Sequence, residues 1–202
     1  MLNFITKPIF DLTLEALAFI FGILSVWYGR KEDIKVYPTG IIATAITTYL
    51  LYKAAYYGDM LVNAYFTIMS IYGWLVWNSK QQQQANSIGK ANLRDKYIAF
   101  LLFVLTLLFV RIAYYLFDTA LATENYFDIL ASAIFFSAMY FMAHKKIENW
   151  QLWIVGNFIV IPLYFYRELY FLGVQYVIFN YLAVRAYYEW KQKLTQITGL
   201  AA

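Results

Sequence analysis

The stretch DMLVNAYFTIMSIYGWLVW, residues 59–77, is long enough for one membrane-spanning helix, which needs about 20 mostly apolar residues. On a helix, its polar and aromatic side chains recur every three or four residues along one face: Asn63, Thr67, Ser70, Trp74 and Trp77. Lipid offers these groups no hydrogen-bond partner, so the face should lie against protein or a cavity. Packing between helices, with an interfacial tryptophan belt, is the alternative to a cavity.

The composition of the whole chain is typical of a polytopic membrane protein. Of its 202 residues 62% are hydrophobic and 14% are charged, whereas soluble domains are about 45–50% apolar and about 25% charged. In this class a net charge of +4 does not indicate a nucleic-acid partner, because the placement of basic residues matters more than their sum. The chain has no cysteine, which excludes disulfides, thiolate metal sites and cysteine nucleophiles. Its single histidine, His144, has no second histidine with which to share a metal, so we expect no metal site and no cofactor.

Seven stretches are candidates for membrane-spanning helices, and the predicted fold class is therefore all-α. They lie at about 10–29, 37–57, 59–78, 97–117, 124–143, 149–166 and 168–189. If the N-terminus lies outside, most lysines and arginines fall in cytoplasmic segments, and Lys7, Lys53 and Arg167 fall outside. This bias predicts an outer N-terminus, a cytoplasmic C-terminus and a flexible cytoplasmic loop over residues 78–92.

The sequence also carries an internal repeat with a shift of 113 residues. The landmarks that coincide are Asp11 with Glu124, Glu15 with Asp128, Ile34 with Ile147, Tyr37 with Trp150, Thr44 with Asn157, Tyr57 with Tyr170 and Trp77 with Trp190. We expect a single transmembrane domain over residues 1–202, in which repeat one (about 10–78) and repeat two (about 124–191) flank a linker helix (about 97–117). The odd linker gives both helix triplets the same orientation, and parallel repeats are one known plan of transporters, with the substrate held near the membrane midplane.

A second polar and aromatic face lies in the sixth predicted helix, where Trp150, Trp153 and Asn157 recur at helical spacing. The seventh helix adds Gln175, Tyr176 and Asn180. Indole faces attract cations by about 0.5–2 kcal/mol each, and side-chain amides pair with carboxamide and hydroxyl groups. The combination suits a flat, polar, cationic ring that carries hydroxyls. For Trp150, near the inner interface, a place in an aromatic belt is the alternative. Trp190 and Tyr187 are expected to be interfacial anchors.

Two carboxylates, Glu15 and Asp128, fall in the first turns of membrane-spanning stretches. An ionised group at the bilayer centre costs about 2.5–3.5 kcal/mol, so each should cap its helix or pair with a cation. The candidate cations are Arg111, Lys53 and Arg167. Attraction of a cationic solute to the outer mouth is the alternative role. The sequence shows no central acid for proton coupling and no P-loop, so we expect neither energy coupling nor enzymatic activity.

Three segments, in this order, resemble the PnuC family of bacterial vitamin transporters: IYGWLVW (71–77), IENWQLW (147–153) and LGVQYVIF (172–179). The resemblance extends from Glu15 to Trp190. It implies three helices, one linking helix and three helices in the bacterial inner membrane. It also implies facilitated diffusion of nicotinamide riboside, after which a cytoplasmic kinase phosphorylates the solute so that it cannot return. A homotrimer is consistent with the family.

The resemblance further implies which residues meet the solute. The residues that would contact it, or in the first half also gate it, are Trp150, Trp153, Asn157, Tyr72, Trp74 and Trp77. The chain has Asn63 where some riboside carriers of the family have glutamine, and relatives similar in fold carry thiamin or riboflavin. A thiamin transporter of the same family is therefore the alternative function. A non-transporting membrane receptor or scaffold is the alternative from another class.

Overall fold

The computed structural model of the protein describes residues 9–53, 57–79, 88–116, 123–168 and 170–199. Within these ranges the chain forms seven α-helices and no strand. The helices are α1 (Ile9–Arg30), α2 (Val36–Lys53), α3 (Tyr57–Asn78), α4 (Leu93–Leu116), α5 (Thr123–Ala143), α6 (Glu148–Tyr166) and α7 (Tyr170–Gly199). The all-α prediction is confirmed, and each predicted stretch coincides with one helix.

Two helices extend more than two residues beyond their predicted bounds. α4 begins at Leu93 because Asn92 and Asp95 cap it reciprocally: the Asp95 N–H donates to Asn92 Oδ1 at 2.8 Å, and the Asn92 N–H donates to Asp95 Oδ2 at 3.1 Å. α7 continues to Gly199 through a lysine- and glutamine-containing stretch. These residues are good helix formers that need no membrane, so the helix runs past the apolar part of the sequence.

Among the described residues, three segments are long and apolar enough to cross a membrane, judged by length and composition: Ile9–Arg30, Met60–Asn78 and Tyr126–Ala143. Large apolar side chains are also exposed along α4, including Phe100 and Phe109. An exposed apolar face of this extent is costly in water and is expected where a helix borders lipid.

The turns after α1 and α5 have the same hydrogen-bond pattern. Two residues beyond each helix the backbone is left-handed, at Glu32 (φ 58°) and at Lys145 (φ 50°). In both turns an N–H closes the helix end by donating to a carbonyl five residues earlier: Asp33 to Tyr28 at 3.0 Å and Lys146 to Phe141 at 2.9 Å. This is the Schellman closure, here with a side chain at the position that glycine usually occupies. The residues of the two turns correspond under the shift of 113 positions.

The chain divides by its internal packing into two compact units, with the boundary after Leu75 inside α3. In unit 1, which precedes the boundary, α1 packs on α2, and the Ser25 hydroxyl donates to the Val36 carbonyl at 2.8 Å. In unit 2, which follows it, α5 packs on α4 and on α6, and α6 packs on α7. Alanines such as Ala133 and Ala186 are fully buried in unit 2. Such small side chains allow helix backbones to approach closely.

The described residues that precede α4, residues 88–92, are held against other parts of unit 2. Gly89 forms a parallel bridge with Lys146, and Ile88 is buried. The prediction of a flexible loop over residues 78–92 is therefore wrong for residues 88–92, because backbone hydrogen bonds and an apolar side chain hold them. The glutamine run at 81–84 lies outside the described residues.

Candidate functional site

Aromatic rings from three helices of unit 2 form one cluster. The ring of Phe135 on α5 stacks on Trp153 of α6, with centroids 4.9 Å apart and planes 28° apart. Tyr176 of α7 lies 6.3 Å from Phe135, 5.0 Å from Tyr164 and 5.5 Å from Phe179. We call these five residues the aromatic cluster. Their π-faces and edges provide a surface that binds flat rings and cations.

A glycine one turn beyond Trp153 sets the spacing of α5 and α6. A Cβ at Gly156 would overlap the Phe135 ring, which lies against the α6 backbone. Gly156 is itself buried. Glycine is required at position 156 because the Phe135 ring lies so close to the backbone. The backbone angle does not require it, since the φ of Gly156 is not left-handed. Phe135 was not among the residues predicted to meet the solute, because its stretch of α5 reads as plain apolar sequence.

Three side-chain amide oxygens of α6 and α7 are buried without a hydrogen-bond partner among the described residues: those of Asn149, Asn157 and Asn180. Asn157 is 1% exposed and Asn180 is half-buried. An unsatisfied buried acceptor costs about 1–3 kcal/mol, which folding would not retain without a use. These oxygens are therefore available to a donor such as a carboxamide N–H or a hydroxyl. Gln175 and Tyr176, which the sequence indicates together with Asn180, are also half-buried.

The first turn of α6 is more deeply buried than its predicted interfacial position suggests. Asn149 is fully buried, and its amide nitrogen donates to the Lys146 carbonyl at 2.6 Å. Trp150 is 2% exposed and meets Trp190 edge-on, with centroids 5.6 Å apart. Trp190 is fully buried. The prediction that Trp190 is an interfacial anchor is wrong, since a belt residue would keep one edge at the membrane surface.

Trp77 lies at the end of α3, within unit 2, and is 5% exposed. Its indole N–H donates to the Ala143 carbonyl at 3.1 Å, and the Lys145 ammonium lies 4.4 Å from its ring centroid. This side chain joins the end of α3 to the end of α5. The geometry is that of a structural contact between helix ends.

The predicted face of α3 in unit 1 is only partly buried. Ser70 is 5% exposed and Asn63 is half-buried, whereas Tyr72 and Trp74 are 41% and 43% exposed. The hydroxyl of Thr67 lies 2.8 Å from the Thr44 hydroxyl. The expectation that the face lies against protein or a cavity thus fits Ser70 and partly fits Asn63 and Thr67, whereas Trp74 is exposed like a surface residue.

Acidic side chains near the starts of α1 and α5 form ion pairs. In unit 1 the Lys53 ammonium donates to both carboxylate oxygens of Asp11, at 2.7 and 2.6 Å. In unit 2 Arg167 lies 2.6 Å from Asp128. The predicted pairing of Asp128 with Arg167 is confirmed. Each pair ties the N-terminal part of one helix to the C-terminal end of the next.

Helices long and apolar enough to cross a membrane are the features of a polytopic membrane protein, and unit 2 adds the aromatic cluster and the buried amide oxygens. Residues 12–192 match the family described as nicotinamide mononucleotide transporter, and the chain belongs to this family. It is therefore a membrane transporter.

Individual relatives agree with this assignment. The nicotinamide riboside transporters PnuC of Escherichia coli (strain K12) and of Shigella flexneri are each 22% identical to the chain over 206 residues, covering 90% of this chain and 86% of the relative. The fold is similar to that in a crystal structure of the Vitamin B3 transporter PnuC, with a TM-score of 0.71, 22% identity and coverage of 96% of this chain and 86% of that chain.

Proposed function

We propose that the protein imports nicotinamide riboside by facilitated diffusion and that the aromatic cluster with Asn157 and Asn180 binds this solute. The observation that carries the proposal is the buried, unsatisfied Asn157 oxygen one helical turn from the Phe135–Trp153 stack. Nicotinamide riboside combines a pyridinium ring, a carboxamide and ribose hydroxyls. The cluster offers π-faces for the cationic ring, and the amide oxygens accept from carboxamide or hydroxyl donors.

The solute is the riboside and not its phosphate. The family description names the mononucleotide, whereas the two relatives are named for the riboside. A phosphate group carries about −1.5 to −2 charges and is normally bound by Arg, Lys or helix N-termini. None of the described residues of the aromatic cluster is basic, and Arg167 and Lys146 are paired with Asp128 and Asp95. A neutral polar solute, or a cationic one, suits this cluster better than an anion.

Transport proceeds down the gradient of the solute. The aromatic cluster, as far as the structure describes it, contains no carboxylate or histidine that could couple a proton to the solute. A cytoplasmic kinase would add a phosphate that the cluster disfavours, so that the product stays inside. Uptake and trapping then need no energy input from the transporter itself.

The transporter lies in the bacterial inner membrane with its N-terminus outside, as the distribution of lysine and arginine predicts. The matched turns at Glu32 and Lys145 support two repeats of three helices around the linker α4. Tyr72, Trp74 and Asn63 stay predictions as solute contacts, and Trp150 is proposed as part of the wall of the site in unit 2. A homotrimer stays a prediction.

The test is uptake of labelled nicotinamide riboside into proteoliposomes that contain the purified protein. We expect uptake without ATP, insensitivity to a protonophore, and competition by unlabelled riboside but not by the mononucleotide. Trp153→Ala should abolish uptake, while Trp27→Ala, which removes a partly exposed tryptophan of unit 1, should not. If thiamin competes and unlabelled riboside does not, thiamin is the solute. If neither nicotinamide riboside nor its mononucleotide nor thiamin is taken up, a receptor or scaffold is favoured.

A further inference from the structure

Residues 88–92 and the turn before α6, residues 144–148, hold each other by backbone hydrogen bonds; we call the two segments the clasp. The Gly89 N–H donates to the Lys145 carbonyl at 3.1 Å, and the Ile147 N–H donates to the Gly89 carbonyl at 3.0 Å. Lys145 has the left-handed backbone of the Schellman closure, and its side chain is 6% exposed. A surface turn with no further role would expose its lysine.

Two carboxylates fasten the clasp. Both oxygens of Glu148, the first residue of α6, lie 3.0 Å from the N–H of Ala91, which donates to this carboxylate. The Lys146 ammonium lies 3.1 Å from Asp95 Oδ2. Burial alone would raise the pKa of Asp95, but the hydrogen bonds from Asn92 and Lys146 outweigh burial, and the pKa lies below its ordinary value. The Asp95 carboxylate is therefore charged at neutral pH.

The clasp fixes the part of α6 that leads into the aromatic cluster. Asn149 and Trp150 follow Glu148 directly and are buried, so the first turn of the helix has little room to move. Trp153 lies five residues beyond Glu148, about 7.5 Å along the helix axis, and Asn157 lies one further turn away. A helix of this length transmits a tilt at its first turn to both residues, because its backbone hydrogen bonds keep it rigid over such distances.

We propose that the clasp positions α6 for solute binding and that Glu148 is its chief positioning residue. Glu148 does not contact the solute. It holds the start of α6 so that Trp153 remains stacked on Phe135 and the Asn157 oxygen keeps its place. This proposal rests on the proposed function, since it assumes that the solute binds at the aromatic cluster. The segment that precedes α4 contributes Ala91 and thereby influences the affinity for the solute from outside the site.

The test compares Glu148→Ala, Glu148→Gln and the control Glu168→Ala in the full chain. Glu168 is an exposed glutamate beyond the opposite end of α6, whereas glutamine at 148 retains one oxygen that can accept from Ala91.

Two quantities are measured on folded, monodisperse protein: the dissociation constant for nicotinamide riboside by calorimetry, and hydrogen exchange of the amides of residues 149–157 without solute. Loss of a charge-assisted hydrogen bond should weaken binding by about five- to tenfold in Glu148→Ala and by about twofold in Glu148→Gln. Exchange over 149–157 should be faster, and Glu168→Ala should match the wild type in both.

A merely structural role for Glu148 would lower the unfolding temperature but leave the dissociation constant of the folded fraction unchanged. That result, or unchanged exchange in Glu148→Ala, would overturn the proposal. If Glu148→Ala does not fold, Glu148→Gln decides, because wild-type affinity and exchange in that variant contradict a positioning role for the charge. If the wild type itself binds no riboside, the proposed function fails, while hydrogen exchange still reports whether the clasp holds α6.

Discussion

The two units place different polar side chains at matching positions, on α2 and α3 in unit 1 and on α6 and α7 in unit 2. In unit 1 the hydroxyls of Thr44 and Thr67 lie 2.8 Å apart, and the Thr44 hydroxyl also donates to the Gly40 carbonyl at 2.8 Å. In unit 2 the same positions under the shift of 113 residues are Asn157 and Asn180, whose amide oxygens have no partner in the described structure. The two hydroxyls form a hydrogen bond with each other, whereas the amide oxygens can still accept a hydrogen bond from a donor.

Matching positions in two pairs of helices can thus have two different roles, one structural and one in binding a solute as proposed above. Unit 1 uses its polar pair as an internal fastening between helices. Unit 2 keeps its pair unsatisfied among the described residues, at a cost in stability that the proposed solute-binding site would explain. The repeat that makes the positions comparable stays a prediction, supported by the two matched Schellman turns.

The largest difference in affinity and unfolding temperature between variants of the two units is expected when these polar side chains are replaced. Asn157→Leu should weaken riboside binding by about 10- to 100-fold, because the lost amide contact is worth about 1–3 kcal/mol in a buried site. The same variant should unfold at an equal or higher temperature, because an unsatisfied buried oxygen is gone. Thr44→Val, which breaks the hydroxyl pair of unit 1, should lower the unfolding temperature and leave affinity nearly unchanged. Equal losses of affinity in both variants would contradict the comparison; calorimetry and thermal unfolding measure both quantities.

Glycines in the two units provide a second contrast. A Cβ at Gly156 would overlap Phe135, and a Cβ at Gly73 would overlap Tyr37. Alanine at either position should therefore destabilise the protein, by about 1–3 kcal/mol for overpacking. Affinity for the riboside should fall, by about tenfold, only in Gly156→Ala, because Phe135 stacks on Trp153. Wild-type affinity in folded Gly156→Ala would place the solute away from this stack.

The ion pairs at the helix ends should matter less. Asp128→Asn removes the partner of Arg167, and because the pair is partly exposed the unfolding temperature should fall by at most about 4 °C. Asp11→Asn should have an equally small effect in unit 1, and high salt should weaken the effect of both substitutions. A loss of riboside uptake in Asp128→Asn with unchanged unfolding temperature would instead assign Asp128 to attraction of the cationic solute.

The smallest expected effect is the pH dependence of the clasp, which has no counterpart in unit 1 among the described residues. The pKa of Asp95 is lower in the folded protein than its ordinary value of 3.8. The pair with Lys146 therefore contributes its full stability above pH 3.8, and that contribution is lost as the pH falls below this value through the folded pKa. Asp95→Asn should remove this part of the acid sensitivity. An unchanged acid-unfolding profile in the variant would show that Asp95 does not fasten the clasp.

Much of the fold was predictable because apolar stretches of membrane length specify helices with little ambiguity. All seven helices coincide with predicted stretches, and the pair of Asp128 with Arg167 was among the predicted pairings. The ends of α4 and α7 differed, since caps and polar helix formers lie outside the apolar pattern. Trp190 was misplaced for a related reason: its position near a helix end resembles a membrane interface in sequence, although Trp150 covers it in the structure.

The sequence by itself determined the class of protein, the order of the helices, the family and the residue types suited to a flat cationic solute. It could do so because bilayer thickness and helical period leave strong local patterns. Only the tertiary structure decided that Phe135 stacks on Trp153, that Asn157 lacks an internal partner while Thr44 has one, and that residues 88–92 clasp the start of α6. These facts depend on which side chains meet across helices far apart in sequence, and no local pattern records such contacts.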